Sequence, residues 1–245
     1  MRTMDTAAIS NGSPAARESV AKPGASRMRD AMSCDRIARL YQTFEYLSFG
    51  GALQACRVMY LGAVLDCRKA LVCGDGDGRF LAELLRSSRE VRVDYVDLSA
   101  GMAGLARQRV GGLGADAVAR ASFHVGDVRE FNLGEGAAYD LITAHFCLDC
   151  FDTTELTTVT RRLASFARPG ATLLLSDFRI PARGVARYIG AAIIRGLYGA
   201  FRVATGLRVT RLPNYENALQ GAGFRKERET LKLAGVLAAS LWRKN

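Results

Sequence analysis

Histidine occurs only twice in the 245 residues, at 124 and 145. No group of histidines or carboxylates stands at metal-ligand spacing, so nothing here asks for a bound metal. Six cysteines, at 34, 56, 67, 73, 147 and 150, lack the paired spacing of a zinc site, and Cys147-Leu148-Asp149-Cys150 is a lone CxxC. Reduced, buried thiols in a cytoplasmic protein are the reading that follows. No apolar run approaches the ~18 residues that a spanning helix needs, and no secretory segment is visible. No internal repeat is present. Acidic residues are missing altogether from 178–215, a stretch that holds seven arginines, at 179, 183, 187, 195, 202, 208 and 211.

What is present centres on residues 70–102. The apolar run Ala70-Leu71-Val72-Cys73 leads into Gly74-Asp75-Gly76-Asp77-Gly78, then into Phe80, Leu81, Leu84 and Leu85 at helical spacing. A second apolar run over 91–96 ends at Asp97. This is a strand, a tight loop, a helix and a strand, with loop and second strand facing one ligand. Glycine lets the backbone approach that ligand closely, and a carboxylate at the strand's end can accept hydrogen bonds from both hydroxyls of a ribose. Other loops of this kind are excluded by position. The dinucleotide pattern G-x-G-x-x-G would need glycine where Arg79 or Leu81 stands; a calcium loop would need ligands at those same places; a phosphate loop would end in Gly-Lys-Ser/Thr.

The order Gly-x-Gly-x-Gly, Asp97-Leu98-Ser99 with Met102, Gly126-Asp127-Val128, then Tyr139-Asp140-Leu141-Ile142 resembles a class I S-adenosylmethionine-dependent methyltransferase, from residue 70 to the C-terminus. Its outline is similar to the methyltransferases of quinone biosynthesis. One departure is Val72, where the family often carries an acid two positions before the first glycine; Asp75 and Asp77 stand in the loop as compensation. The resemblance implies an α/β fold: a Rossmann-like, seven-stranded, mostly parallel sheet with helices on both faces, a reversed last strand and an N-terminal helical cap. It implies S-adenosylmethionine as cofactor, held by Gly74, Asp75, Gly76, Asp77, Gly78, Asp97, Leu98, Met102, Asp127, Val128 and His145. Asp127 is expected at the adenine amino group, with the Val128 N–H on the ring.

Along the chain, residues 1–30 lack an apolar period and read as a disordered tail, and 31–69 as the cap, with helices from Asp35 and over 53–67. Residues 70–245 form the catalytic domain. Within it a helix is expected over 99–110, strands over 122–126 and 138–145, and a helix over 153–167. An Arg168-Pro169-Gly170 turn, a strand over 171–176, a helix over 212–223 and strands over 224–233 and 236–242 complete it. His145 and Asp149 are the candidate bases, against packing for the one and a helix-approach carboxylate for the other. Tyr41, Tyr46, Phe49, Phe146, Arg179 and Tyr198 are candidate acceptor contacts, the aromatic cap favouring a hydrophobic small molecule methylated on oxygen or nitrogen.

The basic insertion 178–215 has three uses: a solvated helix face, a helix on an anionic membrane, or a clamp on an anionic acceptor. A formal charge of +10 favours an anionic partner. It also motivates nucleic acid as an alternative substrate, although the Asn/Asp-Pro-Pro-aromatic motif and RNA-binding modules are missing. A non-catalytic cofactor-binding partner is the reading outside enzymes.

Overall fold

The structure is a computed structural model, and it describes residues 51–131, 138–181, 183–205 and 212–245. The expected tail, the helix from Asp35 and the contacts Tyr41, Tyr46 and Phe49 lie outside the described residues, as does the side chain of Tyr198.

The elements run α1 (Ala52–Arg57), β1 (Lys69–Cys73), α2 (Arg79–Ser87), β2 (Arg92–Asp97), α3 (Ala100–Gly111), α4 (Ala115–Ala119), β3 (Ala121–Val125), β4 (Tyr139–His145), α5 (Thr153–Phe166), β5 (Ala167–Phe178), α6 (Gly184–Thr205), α7 (Tyr215–Gly221), β6 (Phe224–Lys232) and β7 (Leu237–Lys244). Single 3₁₀ turns cover Leu61–Ala63, Leu148–Cys150 and Leu233–Gly235. The seven strands form one sheet in the order β3-β2-β1-β4-β5-β7-β6. β1 to β5 are parallel and β7 is antiparallel to both its neighbours. The strand order reverses between β1 and β4, and the crevice above their carboxyl ends is where sheets of this kind receive ligands.

Alternation along the strands divides the core into two layers. Val72, Val93, Tyr95 and Leu141 pack against Phe80, Leu81, Leu84 and Leu85 of α2 and Ala103 and Ala106 of α3. Leu71, Ile142, Leu173 and Trp242 pack on the other face against Leu156 and Leu163 of α5 and Leu219 of α7. Each fully buried leucine or phenylalanine contributes about 1.5–3 kcal/mol. The continuous apolar run of β5 thus serves both layers.

Several boundaries differ from the sequence-based expectation. The helix expected over 53–67 ends at Arg57: Val64 and Cys67 still reach the core, but through a 3₁₀ turn and loop, and Gly62 sits where a continuing helix would need a better former. The Arg168-Pro169-Gly170 turn is part of β5. Tyr139 pairs with Ala167 but Leu141 pairs with Thr172, so the residues between them bulge from the ladder, which is where proline is tolerated. α4 went unanticipated because it is a five-residue alanine-rich piece between glycines and β3. α7 starts at Tyr215, three residues late, because the Asn214 side chain caps it through the Asn217 N–H.

Candidate active site in the crevice

The glycine loop turns back on itself through three left-handed glycines, Gly74 at φ 62°, Gly76 at 59° and Gly78 at 76°. Two of them are also packed too closely for a side chain. A Cβ on Gly74 would lie 2.7 Å from Cys147 Cβ, and one on Gly78 would lie 2.7 Å from Ala106 Cβ and 2.9 Å from its Cα. Gly74 thereby brings the loop against the chain after β4, and Gly78 lets α2 and α3 touch.

The two loop aspartates face the protein. Asp75 accepts the Leu81 N–H at 2.9 Å and the Phe80 N–H at 3.3 Å, capping α2 from inside. Burial pushes its carboxyl up to about 7, with the Arg57 guanidinium 4.0 Å away and the two N–H groups pulling it back. Asp77 Oδ2 accepts from Arg109 Nη2 at 2.5 Å and Arg79 Nε at 3.1 Å. Arg57 is itself buried and lies over the Phe146 ring, 5.1 Å from its centroid.

Asp97 stands across from the loop, at the end of β2. Its Oδ2 accepts the Gly76 N–H at 3.2 Å and its Oδ1 the Ser99 N–H at 2.9 Å. The Tyr95 hydroxyl donates to Gly76 O and lies 3.3 Å from Asp97 Oδ2. Burial and the neighbouring carboxylates push that phenol far up, so it stays a neutral donor. Ser99 Oγ caps α3 through the Met102 N–H at 3.1 Å, and Met102 Sδ lies 3.7 Å from the place of a Gly76 Cβ. Loop, Asp97, half-buried Leu98 and Met102 form one wall.

Asp127, after β3, is gripped by Arg129: its backbone N–H and Nε each lie 2.9 Å from Oδ1, and Nη2 lies 2.6 Å from Oδ2. Glu155 of α5 takes Arg129 Nη1. Val128 packs on the layer below.

His145, the last residue of β4, is buried under the loop's helix, its ring 4.6 Å from that of Phe80. Neither ring nitrogen has a hydrogen-bond partner. Burial, aided by Arg57, lowers its pKa to about 3, so the imidazole is neutral. Phe146 follows at φ 54°, a left-handed conformation costly for a bulky residue, held by its N–H to Ser176 O at 2.7 Å and its ring against Phe178. Arg179 is tied to β6 through Glu229 Oε2 at 2.8 Å. An open depression of about 450 Å³ lies elsewhere, between Gln54, Leu61 and Glu83, and includes none of these residues.

The structure therefore brings together the glycine loop, Asp97, Leu98, Met102, His145 and Phe146. Residues 70–170 match the family Methyltransf_25, described as a methyltransferase domain. That stretch is similar to a methyltransferase domain, and the chain has the fold of class I methyltransferases. It shares that fold with an O-methyltransferase family protein from Burkholderia thailandensis, at 22% identity over 90% of this chain and 60% of that one, TM-score 0.65. The N-methyltransferase NodS of Bradyrhizobium japonicum WM9, solved with S-adenosylhomocysteine, matches 88% of this chain and 98% of its own at 15% identity, TM-score 0.61. Among curated proteins, polyamine aminopropyltransferase 2 of Bacillus cereus is 33% identical over 90 residues, 35% of this chain. The match spans 25% of that relative's length.

Two residues beside the crevice escaped the sequence reading. Arg57 is a lone cation in an apolar helix, and Asp177 is a lone acid closing the apolar run of β5. The second had a signal, since an acid at a buried strand's carboxyl end is also what marks Asp97.

Proposed function

We propose that the chain is an S-adenosylmethionine-dependent methyltransferase acting on a hydrophobic or aromatic small molecule, at oxygen or nitrogen. The observation that carries this is Asp97, fixed by the Gly76 and Ser99 N–H groups at the carboxyl end of β2 and facing a loop of left-handed glycines. A nucleoside with an amino-acid tail fits that pairing: ribose hydroxyls on Asp97, tail along the glycine backbone, Leu98 and Met102 beside the sugar and base. Asp127 and the Val128 N–H take the adenine edge, Arg129 holding the aspartate in place.

When bound, the cofactor supplies an electrophilic methyl on a sulfonium. The chain's own part is to hold an acceptor's lone pair in line with it and to keep water out. Phe146 and Phe178 offer an aromatic wall there. Asp75 and Asp77 act as internal braces of the loop, which leaves Val72 uncompensated by either at the methionine end.

A second element of the reading concerns α6. Among the described residues no helix is long and apolar enough to cross a membrane. α6 nevertheless exposes Tyr188 at 77%, on one side of the helix with exposed Arg187 and Arg195. We propose that this face rests on an anionic lipid surface and gives access to a lipophilic acceptor. Calorimetry with S-adenosylhomocysteine tests the central reading: micromolar binding supports it, and binding of NAD in its place overturns it.

A further inference from the structure

The β6–β7 hairpin reverses through three successive left-handed residues, Leu233 at φ 48°, Ala234 at 51° and Gly235 at 89°. The Val236 N–H closes the turn on Leu233 O at 3.1 Å. A side chain of L chirality is disfavoured in that conformation, which hairpins meet with asparagine or glycine. Only Gly235 suits it. Leu233 is also 48% exposed, and Leu231, two residues earlier, 47%. Neither the backbone nor water favours a leucine at 233, whereas asparagine would suit both.

Strand register puts this turn at the crevice end of the sheet. Leu237, the first residue of β7, pairs with Phe178 at the carboxyl end of β5 and with Lys232 of β6. The turn therefore lies at the same end as the glycine loop and Asp97, next to the Phe146 and Phe178 rings. α6 leans on it through Pro181. The place of a Gly190 Cβ is 2.8 Å from Pro181 Cδ and 3.1 Å from Val236 Cγ2, and that of a Gly235 Cβ is 3.6 Å from Pro181 Cγ and 3.9 Å from Leu231 Cδ1. Ile180, just before that proline, is 42% exposed. The neighbouring chain positions carry cations: Lys232 precedes Leu233, and Arg183 and Arg187 follow Pro181. All three are exposed, and among the described residues none of them forms an ion pair. The acid of β6 closest to the turn in sequence, Glu229, is held by Arg179 and Lys226.

We propose that the β6–β7 turn inserts Leu231 and Leu233 into an anionic phospholipid bilayer, with Lys232, Arg183 and Arg187 among the headgroups. This deepens the reading of α6 given above and rests on it: helix and turn form one lipid-facing rim beside the crevice. A bilayer suits the surface better than a protein does. Three apolar side chains at a turn cover far less than the ~800 Å² per partner of a stable protein interface. A membrane asks only for a few buried apolar groups backed by basic charge. Docked in this way, the carboxyl end of the sheet faces the lipid, and a lipophilic acceptor enters the crevice without crossing water.

The test uses the full chain and vesicles of phosphatidylcholine with and without phosphatidylserine. Wild type should co-sediment with the anionic vesicles. Leu233→Asn should keep or raise the denaturant midpoint, since asparagine tolerates the left-handed region, and yet weaken vesicle binding about tenfold. Leu233→Trp should bind as wild type does, and its emission should move to shorter wavelength on vesicles and be quenched by lipids brominated in the acyl chain. The one native tryptophan, Trp242, is fully buried and gives a constant background. Should Leu233→Asn fail to fold, that emission decides. Undiminished binding by folded Leu233→Asn, or emission unmoved by vesicles that sediment Leu233→Trp, overturns insertion of the turn and leaves α6 acting alone. No binding by wild type overturns the α6 reading and this one with it. A wild-type dimer in sedimentation equilibrium that Leu233→Asn dissociates overturns lipid as the occupant in favour of a second copy of the chain.

Discussion

Asp97 Oδ2 lies 3.2 Å from the backbone nitrogen of Gly76, so the end of β2 and the middle of the glycine loop are one hydrogen-bonded unit. The carboxylate is oriented before any ligand arrives, and a ribose meets acceptors already in place. Asp97→Ala should weaken S-adenosylhomocysteine binding by ~1–3 kcal/mol, the range of lost charge-assisted hydrogen bonds. Titration calorimetry measures this, and an unchanged affinity removes the ribose assignment.

Gly78 and Gly104 make a controlled pair. At Gly78 a side chain meets Ala106 at 2.7 Å with φ at 76°, so Gly78→Ala should part α2 from α3 and cost ~2–4 kcal/mol. Gly104 is exposed on α3 with open space around it, so Gly104→Ala should be neutral or stabilise by about 0.5–1 kcal/mol. Urea unfolding of both variants distinguishes a packing constraint from a generic dislike of substitution.

Asp75 and His145 should give opposite pH dependences. Between its ordinary 3.8 and about 7, folded Asp75 holds a proton that the unfolded chain has released, so its contribution to stability falls as pH rises through that window. Between about 3 and 6.5 the unfolded chain holds a proton that folded His145 lacks, so stability is lost as pH falls. Asp75→Asn, which keeps an acceptor for the α2 cap, should therefore gain on wild type as pH rises from 4 to 7. His145→Leu should gain on wild type as pH falls from 6.5 toward 3. Denaturant midpoints across pH check both signs, and the Asp177 carboxyl, raised by burial, cancels because it is common to all three proteins.

For α6 the expected outcome is binding to anionic vesicles at low salt and release at high salt. Reversing Arg187 and Arg195 to glutamate should weaken it by about 1 kcal/mol or more per site. Co-sedimentation with phosphatidylserine vesicles measures this, and no binding by the wild type leaves the helix a solvated face.

How much of this was legible in the sequence depends on whether a residue's role is local. β1, the glycine loop, β2 and Asp97 lie within 30 residues and announce themselves by pattern, and the reversed last strand followed from the family outline. Asp75 was read as facing the ligand because spacing cannot tell which way a loop carboxylate turns; the α2 N-terminus and Arg57 decided it. Asp177 was passed over as one polar letter in an apolar strand, since its full burial is a property of the packed sheet. The turn at Arg168-Pro169-Gly170 was half right: the chain does deviate there, but as a bulge within a strand that resumes its pairing at Thr172.

The most direct test is a crystal structure with S-adenosylhomocysteine. The account predicts the ribose hydroxyls on Asp97, the amino-acid tail along Gly74 to Gly78, and the sulfur facing the turn that carries Asp149. A ligand seated in the depression by Gln54 and Glu83, or a ribose away from Asp97, would contradict it.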